Sequence, residues 1–251
     1  MSGHSKWSSI KHKKAKTDAA KGKAFTKAGR LITSSVKTTG DPNPESNASL
    51  RLAIQKARDV NMPNDNIQRA IKRALDKDSE TLEEITYEGY APGGVALLIE
   101  CMTDNKNRTL PVVRSTIEKH GGSMGSAGSV GYMFKRKGQI VFEKSKISEE
   151  QIMNIGIEAG AEDIKTDEGN IEVLTSPDNF EKVRSVFEEK NIEFESAAIQ
   201  QLPDNYIPIA DEKIANHIIK IIERLEDDDD IQNVYSNHDI EENLLDKLIT
   251  Q

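Results

Sequence analysis

Ten lysines and arginines fall in the first 40 residues: Lys6, Lys11, Lys13, Lys14, Lys16, Lys21, Lys23, Lys27, Arg30 and Lys37. One acid, Asp18, stands among them, so this stretch carries +9 while the whole chain carries −8 and the remainder −17. Such an asymmetry marks a basic segment that meets a polyanion, attached to an acidic body. Residues 11–16 hold too little apolar mass to pack and read as an extended arm. From Asp18, an N-cap candidate, the residues Ala20, Ala24, Phe25, Ala28, Leu31, Ile32 and Val36 recur at helical intervals. Lys23, Lys27, Arg30, Ser34 and Lys37 occupy another face of that helix. One face packs, and the other offers a cationic ridge that a nucleic acid rewards through counterion release. Trp7 has two available roles: stacking on a base, or anchoring the arm on the helical domain.

Other chemistries lack their residues. No Walker or dinucleotide-binding pattern is present. The glycine-rich stretch at 121–131, GGSMGSAGSVG, lacks the GK[ST] ending and reads as a mobile loop rather than a phosphate cradle. Five histidines (His4, His12, His120, His217, His238) are scattered, and the single Cys101, in an apolar run, reads as a buried hydrophobe. No hydrolase spacing stands out. The expectation is a protein that is not an enzyme, with no cofactor and no metal. The acidic run EDDDD at 226–230 reads as a solvated turn closing a helix.

The elements that position the basic residues follow from periodicity. Residues 39–47, TGDPNPESN, form a turn-rich linker. A second helix carries Leu50, Ala53, Ile54, Ala57 and Val60, and Pro63 breaks it. A third buries Ile67, Ala70, Ile71, Ala74 and Leu75 and sets Arg69, Arg73 and Lys77 in a row outside. Residues 18–77 thus read as three helices, an outline shared with helix-turn-helix readers. Asn66, Gln68, Arg69 and Arg73 would then face bases. Beyond Asp78 the pattern changes to strands at 85–91 and 95–102 and a polar loop at 103–108. A helix follows, capped by Thr109 with Pro111 in its first turn. Arg108, in that loop, joins the candidate nucleic-acid contacts. Residues 139–200 run β-α-β-β-α-β, a ferredoxin-like order. A helix at 211–225 and a strand at 234–235 lack a sheet of their own and complete the one begun at 85–102.

The predicted fold is therefore multidomain α and α+β. Residues 1–78 form the basic arm and three-helix domain, 79–136 plus 204–251 an α+β middle domain, and 137–203 an inserted ferredoxin-like βαββαβ domain. No run is long and apolar enough to span a membrane, and no secretory signal is evident. These features predict a cytoplasmic protein that partners nucleic acid, with oligomeric state open and a monomer as the default.

Several stretches resemble one family: GHSKW at 3–7, DAAKGKAF at 18–25, NMPNDNIQRAIKR at 61–73, YEGYAPGGVALLIECMTDNKNRT at 87–109 and KHGGSMGSAGSVGYMF at 119–134. They are similar to the YebC/PmpR family over residues 2–240. The resemblance implies a helical N-terminal domain and two α+β domains, one inserted in the other. It also implies a regulator of gene expression. Bacterial members are generally regarded as DNA-binding transcriptional regulators of the cytoplasm. Others, including a mitochondrial translational activator, act on translation at the ribosome. The implied partner is DNA or, alternatively, ribosomal RNA. This chain departs from the family in Tyr-Ala-Pro at 90–92, where a glycine commonly precedes the proline, and in its less regular linker.

Overall fold

The computed structural model describes residues 18–76, 81–167 and 169–249. The arm candidates Lys6, Trp7, Lys11, Lys13, Lys14 and Lys16, together with Lys77, lie outside the described residues. Helix α1 (Asp18–Thr39) is followed by α2 (Ala48–Asp59) and α3 (Asn64–Ala74). Their core is the apolar stripe of each: Ala28, Ile32 and Val36 meet Leu50, Ala53, Ile54 and Ala57 on one side and Ile67, Ile71 and Ala74 on the other. Helix α1 is the centre, and α2 and α3 pack chiefly on it rather than on each other. The linker is held by Asn47. Its Oδ1 accepts from the Leu50 N–H at 3.0 Å, capping α2, while Nδ2 donates to the carbonyls of Ser35 and Asp41. Leu75, expected in the core, is 54% exposed because α3 ends at Ala74 and its apolar stripe turns outward there.

The middle domain opens with β1 (Glu83–Ala91) and β2 (Val95–Thr103), an antiparallel hairpin. Helix α4 (Lys106–Lys119) starts earlier than expected. Asn105, not Thr109, is its cap, accepting from the Arg108 N–H at 3.1 Å, so Pro111 lies in the second turn. Its missing N–H removes the helical donor that the Asn107 carbonyl would otherwise have. A short β3 (Ser123–Met124) adds to β1.

The chain then makes β4 (Phe134–Glu143), α5 (Glu149–Ala159), β5 (Asp163–Thr166), β6 (Asn170–Thr175), α6 (Phe180–Glu189) and β7 (Ser196–Pro203). These form an antiparallel sheet of order β5-β6-β4-β7, the ferredoxin-like arrangement, with Ile140, Phe142, Val173, Phe180 and Phe187 in its core. The middle domain resumes with β8 (Ile207–Ile209), α7 (Glu212–Glu226), β9 (Ile231–Ser236), β10 (His238–Ile240) and α8 (Glu242–Ile249). Strand β9 pairs antiparallel with β2, completing the sheet β3-β1-β2-β9. Helix α7 buries Ala215, Ile218, Ile221, Ile222 and Leu225 against it. The parallel pair β8–β10 and the terminal helix were not legible in periodicity, each being about two turns or less.

The glycine-rich stretch is an ordered part of this domain, not a mobile loop. The Glu88 carboxylate accepts from the backbone N–H groups of Gly128, Val130 and Gly131 at 2.7, 2.6 and 2.9 Å. Gly128 adopts φ +83°, which turns successive N–H groups inward. The nest that a phosphate would need is filled by the chain's own carboxylate. Burial opposes this charge and the backbone hydrogen bonds overcome it, so the Glu88 carboxyl sits below its usual value. Glu88→Ala should leave three donors without this acceptor, at a local cost of about 1–3 kcal/mol. Hydrogen exchange should rise at the amides of 125–131 and stay level in β4 and α7. Uniform exchange across the domain would contradict the clamp.

Candidate nucleic-acid interface

Helix α1 brings Lys23, Lys27 and Arg30 to one face, as their spacing dictates. That face does not look onto open solvent. It meets the acidic run after α7. Lys23 Nζ lies 2.6 Å from Asp227 Oδ1. Lys27 Nζ donates to the Glu226 carbonyl at 2.8 Å. Arg30 Nη1 donates to Asp230 Oδ1 at 2.6 Å and to the Met102 carbonyl at 2.8 Å. The solvated acidic turn expected at 226–230 is thus an interdomain contact. Helix α7 ends at Glu226, and the turn that returns the chain to β9 lays these residues along α1.

Asp230 is the centre of this contact, its side chain only 6% exposed. Its Oδ2 accepts from Arg108 Nη2 at 2.8 Å, Thr109 Oγ1 at 2.8 Å and Thr103 Oγ1 at 3.0 Å. Arg108 also pairs with Asp104 at 2.7 Å. Burial pushes the Asp230 carboxyl up, but the hydrogen bonds from Arg108, Arg30, Thr109 and Thr103 outweigh it and hold it at about 2. A buried carboxylate without such donors would neutralise instead. Its main chain is equally engaged: the Met102 N–H donates to the Asp230 carbonyl at 2.7 Å, stitching the turn to β2.

A second ion pair ties the helical domain to the ferredoxin-like one. Arg184 of α6, 9% exposed in its side chain, spans both oxygens of Asp59 at the end of α2, at 2.9 and 3.2 Å, and also pairs with Glu188. Its guanidinium lies 5.6 Å from the Phe194 ring centroid. The interdomain roles of Arg184 and Asp230 were not legible in the sequence, because Asp59 lies 125 positions from Arg184 and Arg30 lies 200 from Asp230. The one available signal was the complementarity between the ridge and the run EDDDD.

The remaining candidates lie apart. Lys37 is half-buried in the last turn of α1. Arg69 and Arg73 project from the exposed face of α3, joined there by Gln68 and Lys72. Arg108 is half exposed but committed to its two aspartates. Cys101 is buried, and burial pushes its thiol up to about 12, leaving it unreactive at neutral pH. Among the described residues, no group of three or more His, Cys, Asp or Glu is placed to hold a metal, and no helix is long and apolar enough to cross a membrane.

Fold and site together define a three-part protein, a basic helical domain seated on an α+β body with a ferredoxin-like insertion. Residues 5–77 match the profile described as the TACO1/YebC protein N-terminal domain, and residues 82–238 match the TACO1/YebC second and third domain. The chain belongs to the TACO1/YebC family. It is 48% identical to a protein of Syntrophomonas wolfei, covering 98% of this chain and 99% of that one, and 48% identical to one of Syntrophus aciditrophicus, covering 99% of each. Both relatives are named probable transcriptional regulatory proteins. A crystal structure of a conserved hypothetical protein from Aquifex aeolicus is 42% identical and superposes with a TM-score of 0.80 over 91% of this chain and 94% of that one.

Proposed function

We propose that this protein is a cytoplasmic regulator of gene expression that acts by binding nucleic acid, without catalysis, and that DNA is its target. The observation that carries this reading is the charge distribution, +9 over the first 40 residues against −17 beyond. The names of the relatives agree with it in kind. The arm residues Lys6, Lys11, Lys13, Lys14 and Lys16 supply phosphate contacts, with the α1 ridge behind them. Helix α3 supplies the side chains able to reach base edges, Gln68, Arg69 and Arg73. If α3 enters a major groove, Arg69→Gln should cost about 1–3 kcal/mol at the preferred base and relax choice there. Lys72→Gln on the same face should weaken all duplexes alike, since phosphate contacts position without specifying. Selection from a random duplex pool, followed by titration, reads both effects. Equal, uniform losses for the two variants would remove α3 as the reader.

A second reading, binding to ribosomal RNA, is favoured by two observations. The body is strongly acidic, which suits an arm entering a crevice better than a broad duplex contact. Helices α2 and α3 pack on α1 rather than forming a close helix-turn-helix pair. Sedimentation with ribosomes, with and without ribonuclease, separates the two. Ribonuclease-sensitive co-sedimentation together with no sequence preference on duplex DNA would replace the first reading with the second.

A further inference from the structure

Lys23, Lys27 and Arg30 are spaced to follow a line of phosphates, and each is already held by an anionic or carbonyl oxygen of the same chain. The turn at 226–230 runs along α1 where a nucleic-acid backbone would run. We propose that this acidic turn is a built-in competitor for nucleic acid: it occupies the α1 ridge in the free protein, and phosphate displaces its outer contacts. The inference rests on the nucleic-acid reading above.

Burial along the contact decides which part yields. The Lys23 and Asp227 side chains are 42% and 71% exposed, so water screens them and little is lost when phosphate replaces the carboxylate. At the other end, Asp230 is 6% exposed and Arg30 22%, and parting them would strand charges away from water. The Arg30–Asp230 contact therefore stays closed and serves as the pivot, while Lys23 and then Lys27 are released to phosphate. The two states differ in affinity for a polyanion, which is the condition for a ligand to shift them. A weak, non-specific polyanion contact must compete with the turn, whereas a target that also engages the arm opens it.

The test uses the full chain, a random-sequence DNA duplex and fluorescence anisotropy across a salt series. Asp227→Asn should tighten binding about 2- to 5-fold, the range set by an exposed ion pair. It should also steepen the slope of log affinity against log salt by close to one phosphate contact, about 0.9. Asp178→Asn, which removes the same charge from an exposed site near the start of α6, should leave both unchanged. In a Lys23→Gln background, Asp227→Asn should bring no gain, because the contact it breaks is already absent. A gain that persists without Lys23, or one that Asp178→Asn reproduces, would reduce the effect to general charge and overturn the competitor while leaving nucleic-acid binding in place. No binding by any of these proteins would overturn the nucleic-acid reading itself and the competitor with it.

Discussion

Removing residues 1–16 should weaken nucleic-acid binding on the order of a hundredfold or more at 0.1 M salt and flatten its salt dependence by about 4 to 5 units. The segment holds five lysines, Lys6, Lys11, Lys13, Lys14 and Lys16, and no acid. Each phosphate neutralised on B-DNA contributes about 0.9 to the slope, and about 0.7 on a single strand. The melting temperature should barely move, because the segment offers few residues able to pack. Trp7 is the only tryptophan of the chain, so its fluorescence reports the arm directly. Quenching on addition of nucleic acid would place the ring on a base. Blue-shifted emission in the free protein, unchanged on binding, would place it on the helical domain. Equal affinity and equal slope for the truncated and full-length proteins would remove the arm from the interface.

Asp230→Asn should cost about 3 kcal/mol, at the low end of the range for breaking a buried ion pair. The low end applies because its partners are not fully buried: the Arg30 side chain is 22% exposed and that of Arg108 50%. Substitution removes the charge and one of the two acceptor oxygens, so the remaining amide oxygen can serve Arg30 or the Arg108, Thr103 and Thr109 side but not both. The pH dependence follows from the same site. The Asp230 carboxyl is lowered from 3.8 to about 2, so its ionised form stabilises the fold fully above the unfolded value. That stability is lost as pH falls through the window from about 4 to 2, and is on the order of 2 kcal/mol. Urea unfolding of the wild type between pH 2 and 7 should show this loss, and Asp230→Asn should show a correspondingly smaller one. A variant within about 1 kcal/mol of wild type at neutral pH would show that the contact contributes far less than its geometry implies.

Much of the architecture was legible because it is written in short-range periodicity. The stripe Ala28, Ile32, Val36 and those of α2 and α3 each recur at 3.6-residue spacing, and burial follows them. The β-α-β-β-α-β order read at 139–200, which the structure extends to 134–203, needed only alternation, turn residues and the Ser148 cap. The return of β9 to β2 followed from a helix and strand left without a sheet. Legibility failed where the deciding partner was distant or where two local signals competed. Thr109 was a plausible cap beside Pro111, yet its hydroxyl serves Asp230, and Asn105 caps the helix instead. The glycines of 121–131 indicated freedom, while the carboxylate that removes it sits on β1, 40 residues earlier.

The sequence by itself determined the three-helix core, the ferredoxin-like insertion and the concentration of positive charge at one end of the chain. Each of these depends on residue type and spacing along a few turns or strands. Only the tertiary structure decided what the cationic ridge faces. A run of aspartates looks the same whether water or an arginine surrounds it, because charge carries no address in sequence. Asp230 meets Arg30 across 200 positions only because α7 ends where its turn lies beside α1. Burial at that point then converts an unremarkable acidic run into an interdomain contact whose inner end is held tightly and whose outer end is open to exchange.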